Sequence, residues 1–167
     1  AKYGYPAIRF FLVSAQYRSP INFSAEILEQ AKASLERMYN CENAIKYALK
    51  TANGDALTKE AEINALGQYK EKFIEAMDDD FNTADGISAI FEMIRAINSL
   101  LASDLSKADL EAIYSIYKEL VGLMGFLLPE EEGDSAWIDA LIEERLQAKK
   151  AKNYARADEI REEFKAK

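Results

Sequence analysis

Hydrophobic positions recur along this chain at helical spacing from one end to the other. After Pro6 the residues Ile8, Phe11, Leu12 and Ala15 fall on one face, which predicts a short buried helix. Ser24 is placed as an N-cap for a long second helix, striped by Ile27, Leu28, Ala31, Leu35, Met38, Tyr39, Ile45, Ala48 and Leu49. The turn residues Thr51-Ala52-Asn53-Gly54-Asp55 end it. A third helix is expected from about Thr58 to Met77, with Ile63, Leu66, Tyr69, Phe73 and Ile74 inward. A fourth begins at Thr83, whose hydroxyl is the expected cap, with Asp85 favoured by the positive end of the helix dipole. Its apolar face is Ile87, Ile90, Phe91, Ile94, Ile97, Leu100 and Leu101. A fifth, capped by Ser106, carries Leu110, Ile113, Tyr114, Tyr117, Leu120, Val121 and Met124. No alternating pattern of strand type occurs.

The run PEEEGD at 129–134 joins proline, acid and glycine, the signature of a linker. Beyond it Trp137, Ile138, Leu141, Ile142 and Leu146 mark one helix, and a densely charged second runs from Tyr154 to Phe164. The expected fold is therefore all-α: an up-and-down helical bundle followed by a C-terminal helical hairpin. Residues 1–23 read as a leading segment with a short helix, 24–128 as the bundle, 129–134 as the linker and 135–167 as the hairpin.

Composition agrees with helix and narrows the chemistry. Seven glycines and three prolines in 167 residues leave few breakers. No apolar run is long enough to span a membrane. The single Cys41 cannot form an internal disulfide, so a reducing, cytoplasmic setting is the expectation, with Cys41 a small hydrophobe inside a helix. There is no histidine, which removes the commonest general base and the commonest metal ligand. No glycine-rich phosphate loop is present either. Asp78-Asp79-Asp80 suggests a metal site at first sight, but adjacent carboxylates on a turn point apart, and an acidic interhelical turn is the better reading. No catalytic residues and no metal ligands are assigned. The first residues carry no initiator methionine and no signal-peptide pattern, so the chain reads as a piece of something longer.

The net charge of −8 is unevenly spread. Residues 1–50 hold seven Lys/Arg against four Asp/Glu, residues 51–135 six against eighteen, and residues 136–167 eight against seven. Both ends remain able to face a polyanion although the sum is acidic. Near the C-terminus, Arg145, Lys149, Lys150, Lys152, Arg156 and Arg161 are interleaved with Asn153 and Tyr154. Arg145, Lys149 and Lys152 share one helix face. Such a ridge suits phosphates, with Tyr154 available to a ribose or base. A solvated helix laced by its own ion pairs is the alternative.

The segment RFFLVSAQYRSPINFS, residues 9–24, resembles the stretch after the signature catalytic loop in bacterial cysteinyl-tRNA synthetases, which reads close to RFFLLSAHYRSPLNFS. The likeness continues through ILEQAKASLERMYN, FIEAMDDDFNTADGISAIFEMIRAIN and IDALIEERLQAKKAKNYARADEIREEF, in the family's order and spacing. The resemblance implies a parent enzyme that activates cysteine with ATP and transfers it to tRNA-Cys, with a zinc site for the cysteine thiol. The family's HIGH-type and KMSKS-type motifs and its zinc ligands do not occur in this sequence. The resemblance thus implies a C-terminal region with a bundle of the DALR anticodon-binding type, lacking the catalytic domain and inactive alone. Its partners would be tRNA-Cys and the catalytic domain of the same polypeptide, with no membrane. Tyr17, Arg18, Ser19 and Asn22 become stem-contact candidates, and the basic residues from Arg145 to Arg161 candidates on the anticodon side.

Three positions depart from the family. Gln16 replaces a histidine, keeping hydrogen-bonding capacity but not titration near neutral pH. Ala84 replaces a proline, and Gly86 follows it; together they cost the helix start some rigidity. Two other readings compete: the related cysteine ligase of mycothiol biosynthesis, against which the terminal basic block counts, and an acidic helical module that docks a basic protein.

Overall fold

The computed structural model describes residues 3–128 together with Glu144, Arg145, Arg156 and Glu159. The chain falls into two units, Ala1–Leu128 and Pro129–Lys167. The linker expected at 129–134 lies outside the described residues, as does the hairpin expected at 135–167, apart from those four side chains. The first unit holds helices α1 (Gly4–Val13), α2 (Ala25–Thr51), α3 (Glu60–Ala65), α4 (Gly67–Asp78), α5 (Thr83–Leu101) and α6 (Lys107–Leu123). No strand occurs among the described residues, so the fold is all-α, as the periodicity predicts.

Helix α2 starts as expected. Ser24 is extended, and its hydroxyl oxygen accepts the Ile27 N–H at 3.2 Å. Leu28, Ala31, Leu35, Met38, Cys41 and Ile45 then bury one continuous stripe. Opposite lie Ile90, Met93, Ile94 and Ile97 of α5 and Ile113, Tyr117, Leu120 and Val121 of α6, in one shared core. The Tyr117 hydroxyl, fully buried, donates to the Met38 carbonyl at 2.8 Å, so this aromatic enters the core without an unpaired polar atom.

Two buried carboxylates fix the ends of the bundle. Asp109 forms a capping box with Ser106 at the head of α6. It also accepts the Thr58 N–H at 2.8 Å, the Lys59 N–H at 3.1 Å and the Thr58 hydroxyl. The carbonyls of Asn53 and Gly54 accept the Lys107 and Ala108 N–H groups, so the loop after α2 completes the first turn of α6. Gly54, at φ +95°, makes that approach possible. At the other end Glu42, 2% exposed, accepts from Lys46 at 2.7 Å, the Tyr114 hydroxyl at 3.1 Å and the Leu128 N–H at 2.8 Å. Phe126 tucks under α1, its ring 5.0 Å from that of Phe10.

Four details differ from the sequence expectation. The helix expected over 58–77 is two helices, broken where the Leu66 N–H turns back to Ile63 and Tyr69 to Leu66. The cap of α5 is Asn82, not Thr83. Its amide oxygen accepts the Asp85 N–H at 3.2 Å and its Nδ2 donates back to the Asp85 carboxylate at 2.8 Å. The reason is upstream: Asp80 and Phe81 stand at φ +56° and +53°, which makes Asn82 the last non-helical residue. Leu12 and Ile74, expected inward, are 53% and 46% exposed. Each follows a residue that takes the buried position, Phe11 and Phe73, and successive helical residues sit about 100° apart.

Gly86 has a packing role beyond flexibility. A Cβ there would lie 3.3 Å from the Phe73 ring, so the glycine lets α4 and α5 approach closely. Lys72–Glu92 and Lys70–Glu119 pairs bridge α4 to α5 and α6. Among the described residues no helix is long and apolar enough to cross a membrane.

Burial would raise the Asp109 carboxyl, but bonds from the Thr58 hydroxyl and the Ser106, Lys59 and Thr58 amides outweigh it, holding the group well below the usual carboxylate range. A depressed carboxyl stabilises the fold above its unfolded value of about 4, and that stability drains as pH falls below it. Asp109→Ala should cost about 2 kcal/mol or more at pH 7, from the lost cap and the orphaned donors. Urea midpoints should show the gap between variant and parent narrowing below pH ~4. An equal gap at both pH values would assign the loss to packing instead. The Cys41 thiol, 1% exposed, is pushed up to about 12 by burial and by the adjacent Glu42 charge. In the native protein it should resist a thiol reagent at pH 8 and react only on unfolding; rapid labelling without denaturant would contradict this burial.

Candidate nucleic-acid interface

Helix α1 ends when Ser14 returns two bonds, its N–H to Phe10 and its hydroxyl to Phe11. Residues 15–23 then cross to the α2 cap. Gln16 closes the corner: its side-chain oxygen accepts the Arg18 N–H at 2.7 Å and its carbonyl the Ser19 N–H at 2.9 Å. A glutamine needs no titration for this task. Phe23 stands over Phe11 with ring centroids 5.7 Å apart.

The four stem-contact candidates Tyr17, Arg18, Ser19 and Asn22 all lie exposed on this segment. Two of them are engaged by a residue more than sixty positions away. The Tyr17 hydroxyl donates to Asp80 Oδ1 at 2.9 Å. The Arg18 guanidinium meets the same carboxylate with both terminal nitrogens, Nη2 to Oδ1 at 3.2 Å and Nη1 to Oδ2 at 3.1 Å. Arg18 also lies over the Tyr17 ring, 5.2 Å from its centroid. The bond to Asp80 raises the Tyr17 hydroxyl above its ordinary value, with burial adding and Arg18 opposing. The corner is thus a three-residue unit, stem candidates on one side and the α4–α5 turn on the other.

Beside it runs an open groove of about 370 Å³, lined by Leu12, Val13, Ala15, Tyr17, Phe81 and Thr83. Phe81 presents 67% of its surface to solvent. Neither Asp80 nor Phe81 is a site candidate from sequence. An acidic turn gave no reason to single out its third carboxylate, and the pairing to Arg18 has no local signature.

On the anticodon side, Arg156 is held by Glu144 at 2.8 Å and Glu159 at 3.1 Å, and Arg145 is half-buried. Lys149, Lys150, Lys152 and Arg161 lie outside the described residues. These contacts place one expected phosphate ligand, Arg156, in ion pairs within its own unit.

The chain is poor in the side chains that hold zinc. It has no histidine, its single thiol is buried, and no cluster of three metal-ligating side chains occurs among the described residues.

The chain is similar to known proteins in two respects. A family model described as the DALR domain matches residues 72–128, from the middle of α4 through α5 and α6. Residues 72–128 are therefore those of a DALR domain. A protein named cysteine--tRNA ligase from Halalkalibacterium halodurans is 42% identical over 161 residues, covering 95% of this chain and 34% of that protein. The chain belongs to the cysteinyl-tRNA synthetase family and spans about a third of the length of the curated relative it matches.

The exposed, left-handed Phe81 yields a further prediction. Its backbone disfavours a bulky side chain and its ring is mostly in solvent. Phe81→Asn should move the urea midpoint by the equivalent of less than about 1 kcal/mol, since asparagine tolerates this backbone better. A loss above about 2 kcal/mol would make the ring part of the core.

Proposed function

We propose that this chain is the tRNA-binding C-terminal portion of a cysteinyl-tRNA synthetase, holding tRNA-Cys while a catalytic domain of the same polypeptide attaches cysteine. The observation that carries this reading is the identity of 42% over 95% of the chain to a cysteine--tRNA ligase, in register with the DALR match. Residues 24–128 act as the anticodon-binding bundle, and residues 135–167 begin a second RNA-facing module. The chemistry, with its ATP and zinc, belongs to the catalytic domain in the cytoplasm. The chain alone is inactive, because that chemistry is the catalytic domain's.

Tyr17, Arg18, Ser19 and Asn22 form the stem side of the interface. Arg145, Lys149, Lys150, Lys152, Arg156 and Arg161 form the anticodon side. Arginine and lysine contacts to phosphate are sequence-blind and weaken with salt, so cognate preference comes from base-edge contacts.

The test is a titration of tRNA-Cys and a non-cognate tRNA at two salt concentrations. Binding that weakens with salt and favours tRNA-Cys is the expected result. Absence of binding to either tRNA at low salt overturns the reading and leaves the acidic surface as a docking site for a basic protein. Reversing charge at Lys149 and Lys152 together should weaken both tRNAs by roughly tenfold at low salt. Unchanged affinity in that double variant removes the ridge from the interface.

A further inference from the structure

We propose that Asp80 is an internal competitor for Arg18, occupying the guanidinium edge that an RNA phosphate takes over on binding. This deepens the tRNA-binding reading and rests on it. A guanidinium fork fits two anions bidentately, carboxylate and phosphate. Asp80 already fills the terminal edge of Arg18, one oxygen to each nitrogen at 3.2 and 3.1 Å. It stands where a phosphate would.

Three features make this an exchangeable occupant rather than a permanent brace. The pair is exposed, with 68% of the Arg18 side chain and 44% of that of Asp80 accessible, and exposed ion pairs hold weakly. Arg18 can therefore change partner without unfolding anything.

The carboxylate is positioned independently of Arg18. The left-handed backbone at Asp80 and Phe81 is set by the Phe81 N–H on Met77 at 3.1 Å and the Asn82 N–H on Ala76 at 3.0 Å. The Tyr17 hydroxyl gives Asp80 a second partner that remains when Arg18 leaves.

The local charge opposes a polyanion while Asp80 is ionised. Asp80 faces Arg18, and Asp78 and Asp79 precede it in the chain, so three carboxylates lie close in sequence to the corner's one guanidinium partner. An approaching phosphate meets a quenched cation in a negative surround. Only an RNA held elsewhere on the protein brings its phosphate close enough, for long enough, to displace the carboxylate. Asp80 thereby raises the threshold for non-specific binding at this corner.

Asp80→Asn tests this. Asparagine suits the left-handed backbone and retains an oxygen for Tyr17. Asp80→Gly, which suits that backbone equally, is the second variant. Both should bind cognate and non-cognate tRNA roughly three- to tenfold more tightly at low salt, because the ion pair to Asp80 no longer has to be broken. Arg18→Gln placed on Asp80→Asn should remove the whole gain. Equal or weaker binding in Asp80→Asn, with the parent protein binding tRNA, overturns the competitor and leaves the tRNA reading standing. If neither protein binds tRNA, that reading falls and inorganic pyrophosphate decides the competition. The Arg18 Nε–H NMR signal, assigned by its loss in Arg18→Gln, should then saturate at lower pyrophosphate in Asp80→Asn than in the parent. Saturation at the same concentration, or no movement in either protein, overturns the proposal.

Discussion

The architecture depends on a charge that has no contact with water. Asp109 is completely buried, and a buried carboxylate is tolerated only when its lone pairs are filled by donors. Here the donors come from Ser106 on its own helix and from Thr58 and Lys59 on the far side of a loop. The loop leaving the 27-residue α2 therefore has one path, across the head of α6 and into α3. Helix α3 leads directly into α4, and α4 into the turn that carries Asp80. The position of the candidate interface is in this sense inherited from a carboxylate that takes no part in it.

Glu42 does the corresponding work for the other side of the corner. By holding the Leu128 N–H and the Tyr114 hydroxyl, it folds the chain after α6 back over α2. There Phe126 meets Phe10, and Arg9 donates to the Gly125 carbonyl at 3.1 Å. Helix α1 is thus gripped at its buried face, and the segment that follows it, with Tyr17 and Arg18, starts from a fixed point. Acidic residues in this chain consequently serve in two ways. Asp109 and Glu42 are internal staples, and Asp80 is an exposed partner. The strong negative charge of the middle segment is not a single property with a single meaning.

What was legible in the sequence follows from the range of each signal. Helices α2, α5 and α6 are long enough for a 3.6-residue period to repeat several times, and their buried faces match the stripes read from the chain. Ser24 and Ser106 were readable caps because the cap and its donor are three residues apart. Signals failed where a local pattern met a tertiary one. The third helix reads as continuous, yet it breaks at Leu66, which is buried there. Thr83 looks like a cap, but two consecutive left-handed residues shift that task to Asn82, and Asp-Phe is not a sequence that announces them. Tyr17 and Arg18 stood out through family resemblance. Asp80 did not, because its two partners are 63 and 62 residues away, beyond any spacing rule.

The strain at Asp80 and Phe81 shows how a stable bundle can hold an adaptable corner. Two left-handed residues without glycine persist only where their surroundings over-determine them. The determining contacts lie in the helices on either side: Phe73 against the bare backbone of Gly86, the Asn82–Asp85 cap, and the Lys72–Glu92 bridge. None of these involves the exposed side chains of Asp80 or Phe81. The backbone of the turn is therefore set by packing, while its side chains, Asp80 on Tyr17 and Arg18 and Phe81 in solvent, are held only at the surface. That division lets the chemistry of the corner change, through Asp80, Phe81 or their partners, without altering the fold that presents it.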